Sequence, residues 1–191
     1  MPRREPEPSD GAGERVGTVQ GMTEAERRSV AVWAADCAER VLPLFEREDP
    51  ADDRARDAIA RTRAFARGEL TSAGEIRRRF VAGRAAASAQ TPVGRAAARS
   101  AAQAAGVAHM GAHALGAAAY AAVAVGLARP DDPSATAIEI EAQQELLGPE
   151  AAAALRSLPP LGTDTAGPLG PGMLASGALG DVIRIHQSRL A

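Results

Sequence analysis

The stretch that decides the fold is SAAQAAGVAHMGAHALGAAAYAAVAVGLA, residues 100–128, which contains no charged side chain. Alanine dominates it, and alanine has the highest intrinsic helix propensity of all amino acids. Thr91 and Pro92 before it have the residue types of a helix cap and first turn. The pattern therefore predicts one long helix from Thr91–Pro92 to about Ala128, with a bend near Gly106.

A charge-free stretch of this length is also long enough to cross a lipid bilayer. Insertion is driven mainly by Leu, Ile, Val and Phe, which are few here, and the stretch includes polar Gln103, His109 and His113. A helix that is apolar all round is equally typical of the buried centre of a helical bundle. We therefore predict a buried central helix and no membrane partner.

The rest of the chain has the composition of an all-α protein. Aromatic residues make up 3% of the 191 residues, and the β-branched runs that strands need are missing. This length suits one domain with a single core. The predicted architecture is a single-domain bundle of about six to seven helices around the long Ala/Gly-rich helix.

Capping signals place the starts of the other helices. They are a capping box from Thr23 to Glu26, the pair Asp49-Pro50, a second capping box from Ser72 to Glu75, the pair Asp132-Pro133, and Pro149. Three regions follow from this pattern: a flexible arm at residues 1–21, a helical domain at 22–158, and a Gly/Pro linker with a weak C-terminal helix at 159–191.

Charge and cysteine content exclude several classes of function. The net charge is -2, which argues against a partner that is a nucleic acid. A single cysteine, Cys37, excludes an internal disulfide, and the first residues lack the apolar core of a signal peptide, so we expect a cytoplasmic protein. No phosphate loop or dinucleotide fingerprint occurs, and we predict no cofactor.

Steps of three and four residues place the polar side chains of the central stretch on one stripe, namely Gln103, His109, His113 and Tyr120. Buried polar groups need partners, so we expect these enclosed side chains to face one another, a second helix or a ligand.

Three interpretations of this stripe stay open. Either histidine could act in acid–base catalysis, assisted by Asp36 or Tyr120. The pair could share a metal ion, with Asp36 or Glu39 as a third ligand, although the motif of zinc proteases is incomplete and we predict no metal site. The third interpretation is an internal histidine pair that fixes the register of the helices.

The predicted first helix carries a second group of candidate ligand-binding residues. Trp33, Cys37 and Arg40 lie within two turns, and together with Gln103 they are the predicted ligand contacts. The spacing from Asp36 to Arg40 favours an ion pair along the helix. If this helix packs on the central one, Asp36 is placed to orient a histidine.

Three runs together resemble a known family. They are VAVWAADCAERVLPLFE (30–46), DDRARDAIARTRAFARGE (52–69) and AHMGAHALGAAAYAA (108–122). They are similar to a group of actinobacterial helical proteins, the immunity-five-like immunity proteins, which are sometimes mislabelled as an exonuclease subunit. The resemblance covers about residues 24–158, and it implies a helical cytoplasmic protein that neutralises a toxin by binding it.

The sequence thus predicts a helical immunity-like binding protein that sequesters a partner, either a protein toxin or a small-molecule ligand. The alternative is a small-molecule enzyme of the lyase, isomerase or cyclase type, which uses the histidine pair in a buried pocket. Assembly into a homo-oligomer stays open.

Overall fold

The computed structural model describes residues 21–78, 80–165 and 167–190, without the side chains of 76–78. The predicted flexible arm lies outside these residues, apart from Gly21. All regular structure in the described ranges is helical, which confirms the all-α prediction. The helices are α1 (Glu24–Glu46), α2 (Arg54–Ala66), α3 (Ser72–Arg78), α4 (Phe80–Ser88), α5 (Pro92–Gly106), α6 (His113–Ala128), α7 (Ala135–Glu145), α8 (Pro149–Arg156) and α9 (Gly177–Leu190), with a short 3-10 helix at Met173–Ala175.

The prediction of one long central helix is wrong, because α5 and α6 are separated by a turn at residues 107–112. The two helices run antiparallel, since the Ser100 hydroxyl donates to the carbonyl of Ala117, and Gln103 lies opposite His113. A single helix over this stretch would be about 55 Å long, whereas a globule of this chain length is about 40 Å across. Folding back lets the two apolar helices bury each other.

The start of α1 holds this turn in place. The Arg27 side chain donates to the Ala108 carbonyl through Nε at 3.2 Å and to the Met22 carbonyl through Nη1 at 2.8 Å. Met22 in turn lies against Gly111, where a Cβ would overlap its sulfur. The turn therefore depends on a contact distant in sequence as well as on its own glycines.

The capping box that opens α1 is confirmed, with the Thr23 hydroxyl accepting from the Glu26 amide at 3.2 Å and the Glu26 carboxylate accepting from the Thr23 amide at 2.6 Å. The predicted start of α2 at Asp49-Pro50 is wrong. Asp49 instead accepts from the Ala51 amide in a turn, and the helix begins at Arg54. A side chain that bonds its own backbone two residues on favours a turn over a cap.

The predicted capping box from Ser72 to Glu75 is also wrong. The hydroxyl of Thr71, one residue earlier, accepts from the Gly74 amide at 3.3 Å. Glu75 is drawn away by Arg61 of α2, whose guanidinium donates to it at 2.5 and 3.1 Å. A charge-assisted pair with two bonds is stronger than one bond to a backbone amide.

Helix α6 lies at the centre of the bundle, in contact with α1, α5, α7 and α9. Every residue from Ala114 to Ala122 is buried. The distance between packed helices depends on the side chains between them, so alanine and glycine let several helices approach α6 at once. Larger core side chains such as Trp33 and Phe65 come from the surrounding helices. In the described part of the chain no helix is long and apolar enough to span a membrane.

The segment after α8 packs into the same core. Its buried side chains include Leu169, Ile183 and His186. The predicted C-terminal helix begins at Gly177, whose φ of +57° suits glycine. Burial against the bundle gives this helix a stabilisation that its own residue pattern does not indicate.

Candidate functional site

The polar residues of the charge-free stretch meet across the α5–α6 hairpin. The Nδ1 atom of His113 lies 2.7 Å from Oε1 of Gln103, so Nδ1 carries the proton and donates to the amide oxygen. Gly106 lies beside the imidazole, where a Cβ would come within 2.8 Å of the ring, and a Cβ at Gly116 would come still closer to the Gln103 amide. The two glycines therefore make room for one hydrogen bond between the helices.

His113 is neutral at pH 7. Burial lowers its pKa to about 4, and the electrostatic effect of the neighbouring His109 acts in the same direction. His109 itself is exposed in the turn between α5 and α6, so the prediction that both histidines are enclosed is wrong for His109. The break in the helix is the reason, because it removes His109 from the helical stripe.

The third histidine, which the sequence pattern did not indicate, forms a fully bonded buried group. His186 of α9 donates from Nε2 to Oε1 of Gln143 at 2.9 Å and accepts at Nδ1 from Gln144 at 2.6 Å. The side-chain amide nitrogen of Gln143 donates to the Ala118 carbonyl at 3.2 Å. Burial lowers the pKa of His186 to about 4, with Arg189 adding to the effect. This arrangement fixes one neutral tautomer of His186.

Trp33 and Arg40 connect α1 to the same network. The Trp33 indole donates to the Gln143 carbonyl at 2.8 Å, and its ring meets the His186 ring edge-on, with centroids 5.4 Å apart. Arg40 makes two bonds, at 2.8 and 2.9 Å, to the buried carboxylate of Glu139, which also accepts from Gln143. We name Trp33, Glu139, Gln143 and His186 the buried network; it joins α1, α7 and α9, and the exposed Arg40 binds it at the surface.

The predicted ion pair between Asp36 and Arg40 is absent from the structure. Asp36 instead binds Arg63 of α2 at 2.8 Å, while Arg40 binds Glu139. Partners on neighbouring helices replace the partner one turn away. Cys37 between them is fully buried, and burial raises the pKa of its thiol well above the ordinary value, as do the charges of Glu139 and Asp36.

Tyr120 lies in a depression of about 290 Å³ between α5, α6 and the C-terminal segment. Its side chain is almost entirely buried, and its hydroxyl is 3.6 Å from the sulfur of Met173. Arg95 and Arg99 of α5 line the same depression. Sequence reasoning missed these two arginines, although their four-residue spacing places them on one face of a helix.

A larger apolar groove of about 410 Å³ lies between α6, α7 and α9. Two of its apolar side chains are well exposed, with Leu127 at 45% and Ile185 at 38%. Asp181 is the charged residue among those that line it. The sequence gives a weak indication of this groove. Helix α6 is apolar up to its last turn, although only its central turns are buried.

The residues predicted for acid–base catalysis are divided among separate surroundings. His113 faces Gln103, Asp36 faces Arg63, and Tyr120 lies two turns beyond His113, about 10 Å along the helix axis. In the described ranges no three or more His, Cys, Asp and Glu side chains lie together so that they could hold a metal ion. The catalytic roles stay predictions from the sequence.

No curated protein and no solved structure matches the chain. One family model does match: it is described as Imm-5 like putative immunity protein and covers residues 20–150, from the start of α1 to the start of α8. That span is more than two thirds of the 191 residues and ends before α9. The chain therefore belongs to the Imm-5 like immunity protein family.

Proposed function

We propose that this protein confers immunity by binding a toxin protein and sequestering it, with the apolar groove between α6, α7 and α9 as the contact surface. Family membership supports a coarse immunity-like role. The observation that carries the choice of surface is the exposure of Leu127 and Ile185 beside a groove of about 410 Å³. Exposed apolar surface around a concavity is typical of a binding site.

The chemistry of the groove defines the segment of the toxin that it would take. Apolar side chains from three helices line it, which suits the apolar face of an amphipathic helix or loop. The Asp181 side chain is largely exposed and lies 3.3 Å from Arg184 in a surface ion pair. Such pairs are weak, so Asp181 is available to a basic side chain of the toxin.

The predicted ligand contacts Trp33 and Cys37 support the groove indirectly. Both are buried in the core, so neither side chain reaches the surface. Trp33 bonds the backbone of Gln143 on α7, and the buried network thereby holds α7 and α9 at a fixed separation. In this proposal the network shapes the groove and does not itself contact the toxin.

The test is calorimetric titration of the protein with candidate toxin proteins. We expect Leu127→Glu and Ile185→Glu each to weaken binding by at least about tenfold, as for residues at the centre of an interface. Val32→Glu is the matched control, because Val32 is also an exposed apolar residue but lies on α1 outside the groove. Its affinity should equal that of the wild type.

Two results would overturn parts of the proposal separately. Equal affinity of the groove variants and the wild type would show that the toxin binds elsewhere. Turnover of the toxin or of a small ligand by the protein would rule out simple sequestration. Urea unfolding of each variant separates loss of binding from loss of the fold.

A further inference from the structure

The depression beside Tyr120 has the chemistry of an anion site; it adjoins the proposed toxin groove, with which it shares Val123. Its polar groups are the guanidinium groups of Arg95 and Arg99 and the phenol of Tyr120. The remaining walls are apolar: Pro92, Ala96, Val123, Met173 and Leu179. Its volume of about 290 Å³ is close to the lower limit of small-molecule pockets.

The two arginines differ from the carboxylate-bound arginines of α1 and α2. Among the described residues neither Arg95 nor Arg99 has a carboxylate partner, and Arg95 makes one long bond of 3.5 Å to the Ala89 carbonyl. The sequence gives the reason, because no Asp or Glu occurs between Glu75 and Asp131. The α5 side of this depression therefore carries positive charge and no negative charge.

Two like charges four residues apart on a helix repel each other. An anion placed between Arg95 and Arg99 would remove that repulsion and accept charge-assisted hydrogen bonds from both. Both side chains are exposed, so the anion can reach them from solvent.

Tyr120 adds a third donor to the same pocket. Burial raises the pKa of its phenol, so the hydroxyl is protonated at neutral pH, and the charge of Arg99 acts on that pKa in the opposite direction. Its hydrogen bond in the described structure goes to the sulfur of Met173, a weak acceptor. Met173 is 65% exposed, so a ligand can displace it from the hydroxyl at little cost in buried surface.

We infer that the Arg95–Arg99–Tyr120 pocket binds a small amphipathic anion, with a carboxylate or phosphate headgroup on an aliphatic body. The headgroup lies between the two guanidinium groups and accepts from the Tyr120 hydroxyl. The aliphatic body lies on Val123, Met173 and Leu179. This site does not depend on the proposed toxin binding.

The chain carries its own reporters for a test. Tyr120 is the one tyrosine and Trp33 the one tryptophan in the sequence. Ring-labelled tyrosine therefore gives an NMR signal from this pocket alone, and the Trp33 indole gives a control signal from the core. The probes are octanoate, octyl phosphate and octanol, which share a chain and differ in headgroup.

We expect octanoate or octyl phosphate to shift the Tyr120 signal in a saturable way while the Trp33 signal stays fixed. Comparison of their dissociation constants tells which headgroup the pocket prefers. Octanol should bind at least about tenfold more weakly, since it forgoes the charge-assisted bonds. Added salt should weaken the binding of the two anions and leave the binding of octanol unchanged.

The variants Arg95→Gln and Arg99→Gln should each weaken the binding of the two anions by about tenfold. Arg156→Gln is the matched control, because Arg156 is exposed, has no carboxylate partner among the described residues, and lies on α8 away from the pocket. Equal affinity for octanol and the anions, an unmoved Tyr120 signal, or full affinity in Arg95→Gln and Arg99→Gln would each overturn the inference. Circular dichroism of these exposed-residue variants verifies that the fold is intact.

Discussion

His113 is partly buried and His186 fully buried, and burial lowers the pKa of each to about 4, yet their surroundings differ. His186 uses both ring nitrogens, with Gln143 and Gln144 as partners, and also packs edge-on against Trp33. His113 uses Nδ1 for Gln103, and its Nε2 has no partner among the described residues.

The difference shows that a lowered pKa alone does not determine what a histidine contributes to a fold. His186 bonds the side chains of Gln143 and Gln144 on α7, and Gln143 in turn contacts α1 through its backbone carbonyl and α6 through its amide nitrogen. Loss of His186 therefore leaves the buried Gln143 oxygen and the partly buried Gln144 amide unsatisfied. His113 closes a single contact between two helices that are already joined by a short turn. We therefore expect His186 to stabilise the protein more than His113.

The largest effect is expected for His186→Ala. It creates a cavity beside Trp33 and leaves the buried Gln143 oxygen without its donor, so it should lower the free energy of unfolding by about 3 kcal/mol or more. Urea unfolding at pH 7 measures this change. Ser188→Ala on the exposed side of α9 is the control and should cost less than about 0.5 kcal/mol. A loss below about 1 kcal/mol in His186→Ala would contradict the expectation that His186 stabilises the protein strongly.

The second prediction concerns pH. An unfolded histidine titrates near 6.5, whereas folded His186 titrates near 4, so between these values the unfolded chain binds more protons than the native one. The contribution of neutral His186 is therefore fully present above pH 6.5 and is lost as the pH falls toward 4. The free energy of unfolding that is lost over that range amounts to roughly 3 kcal/mol.

The measurement is the urea midpoint and slope at several pH values from 7 to 4.5, for the wild type and for His186→Gln. Gln retains hydrogen-bonding capacity but has no proton to gain, and the difference between the two proteins removes the contribution of the carboxylates. If both proteins lose stability in parallel, His186 is not the group that titrates. The remaining pH dependence of His186→Gln should include a contribution of the same sign from His113.

The third prediction tests the hairpin side of the comparison through glycine. In Gly116→Ala the new Cβ would meet the Gln103 amide, and its repulsion should cost about 2 kcal/mol. Gly83→Ala is the matched control, because nothing lies within 4 Å of a Cβ there and alanine favours the helix by up to about 1 kcal/mol. Combining Gly116→Ala with Gln103→Ala should recover part of the loss, and strict additivity would argue against this contact.

The sequence predicted what depends on local chemistry. The capping box at Thr23 and Glu26 formed as expected, because its partners are three residues apart. The helical class followed from the alanine content. The prediction that the polar side chains of the stripe face one another was correct for Gln103 and His113.

What the sequence could not provide depends on distant contacts. The break after Gly106 follows from the size of the globule and from Arg27, which binds the turn from another helix. His186 gained its partners from α7, and Arg40 found Glu139 instead of Asp36, so no periodicity along one helix could indicate them. The exposed Arg95 and Arg99 were predictable in part, since the absence of acidic residues around them can be read directly from the sequence.

The smallest effect is expected for His113→Ala, and it defines the lower end of the comparison. The change removes one hydrogen bond and leaves the Gln103 oxygen partly accessible to water, so we expect a loss of about 1 kcal/mol in the free energy of unfolding. His109→Ala, in the adjoining turn, is the matched control; its side chain is exposed and should contribute almost nothing. Because both substitutions remove an imidazole near the start of α6, their difference reports the bond to Gln103 together with the packing of the His113 ring. A cost for His113→Ala as large as that for His186→Ala would mean that the hairpin contact, and not the buried network, is the main polar determinant of this fold.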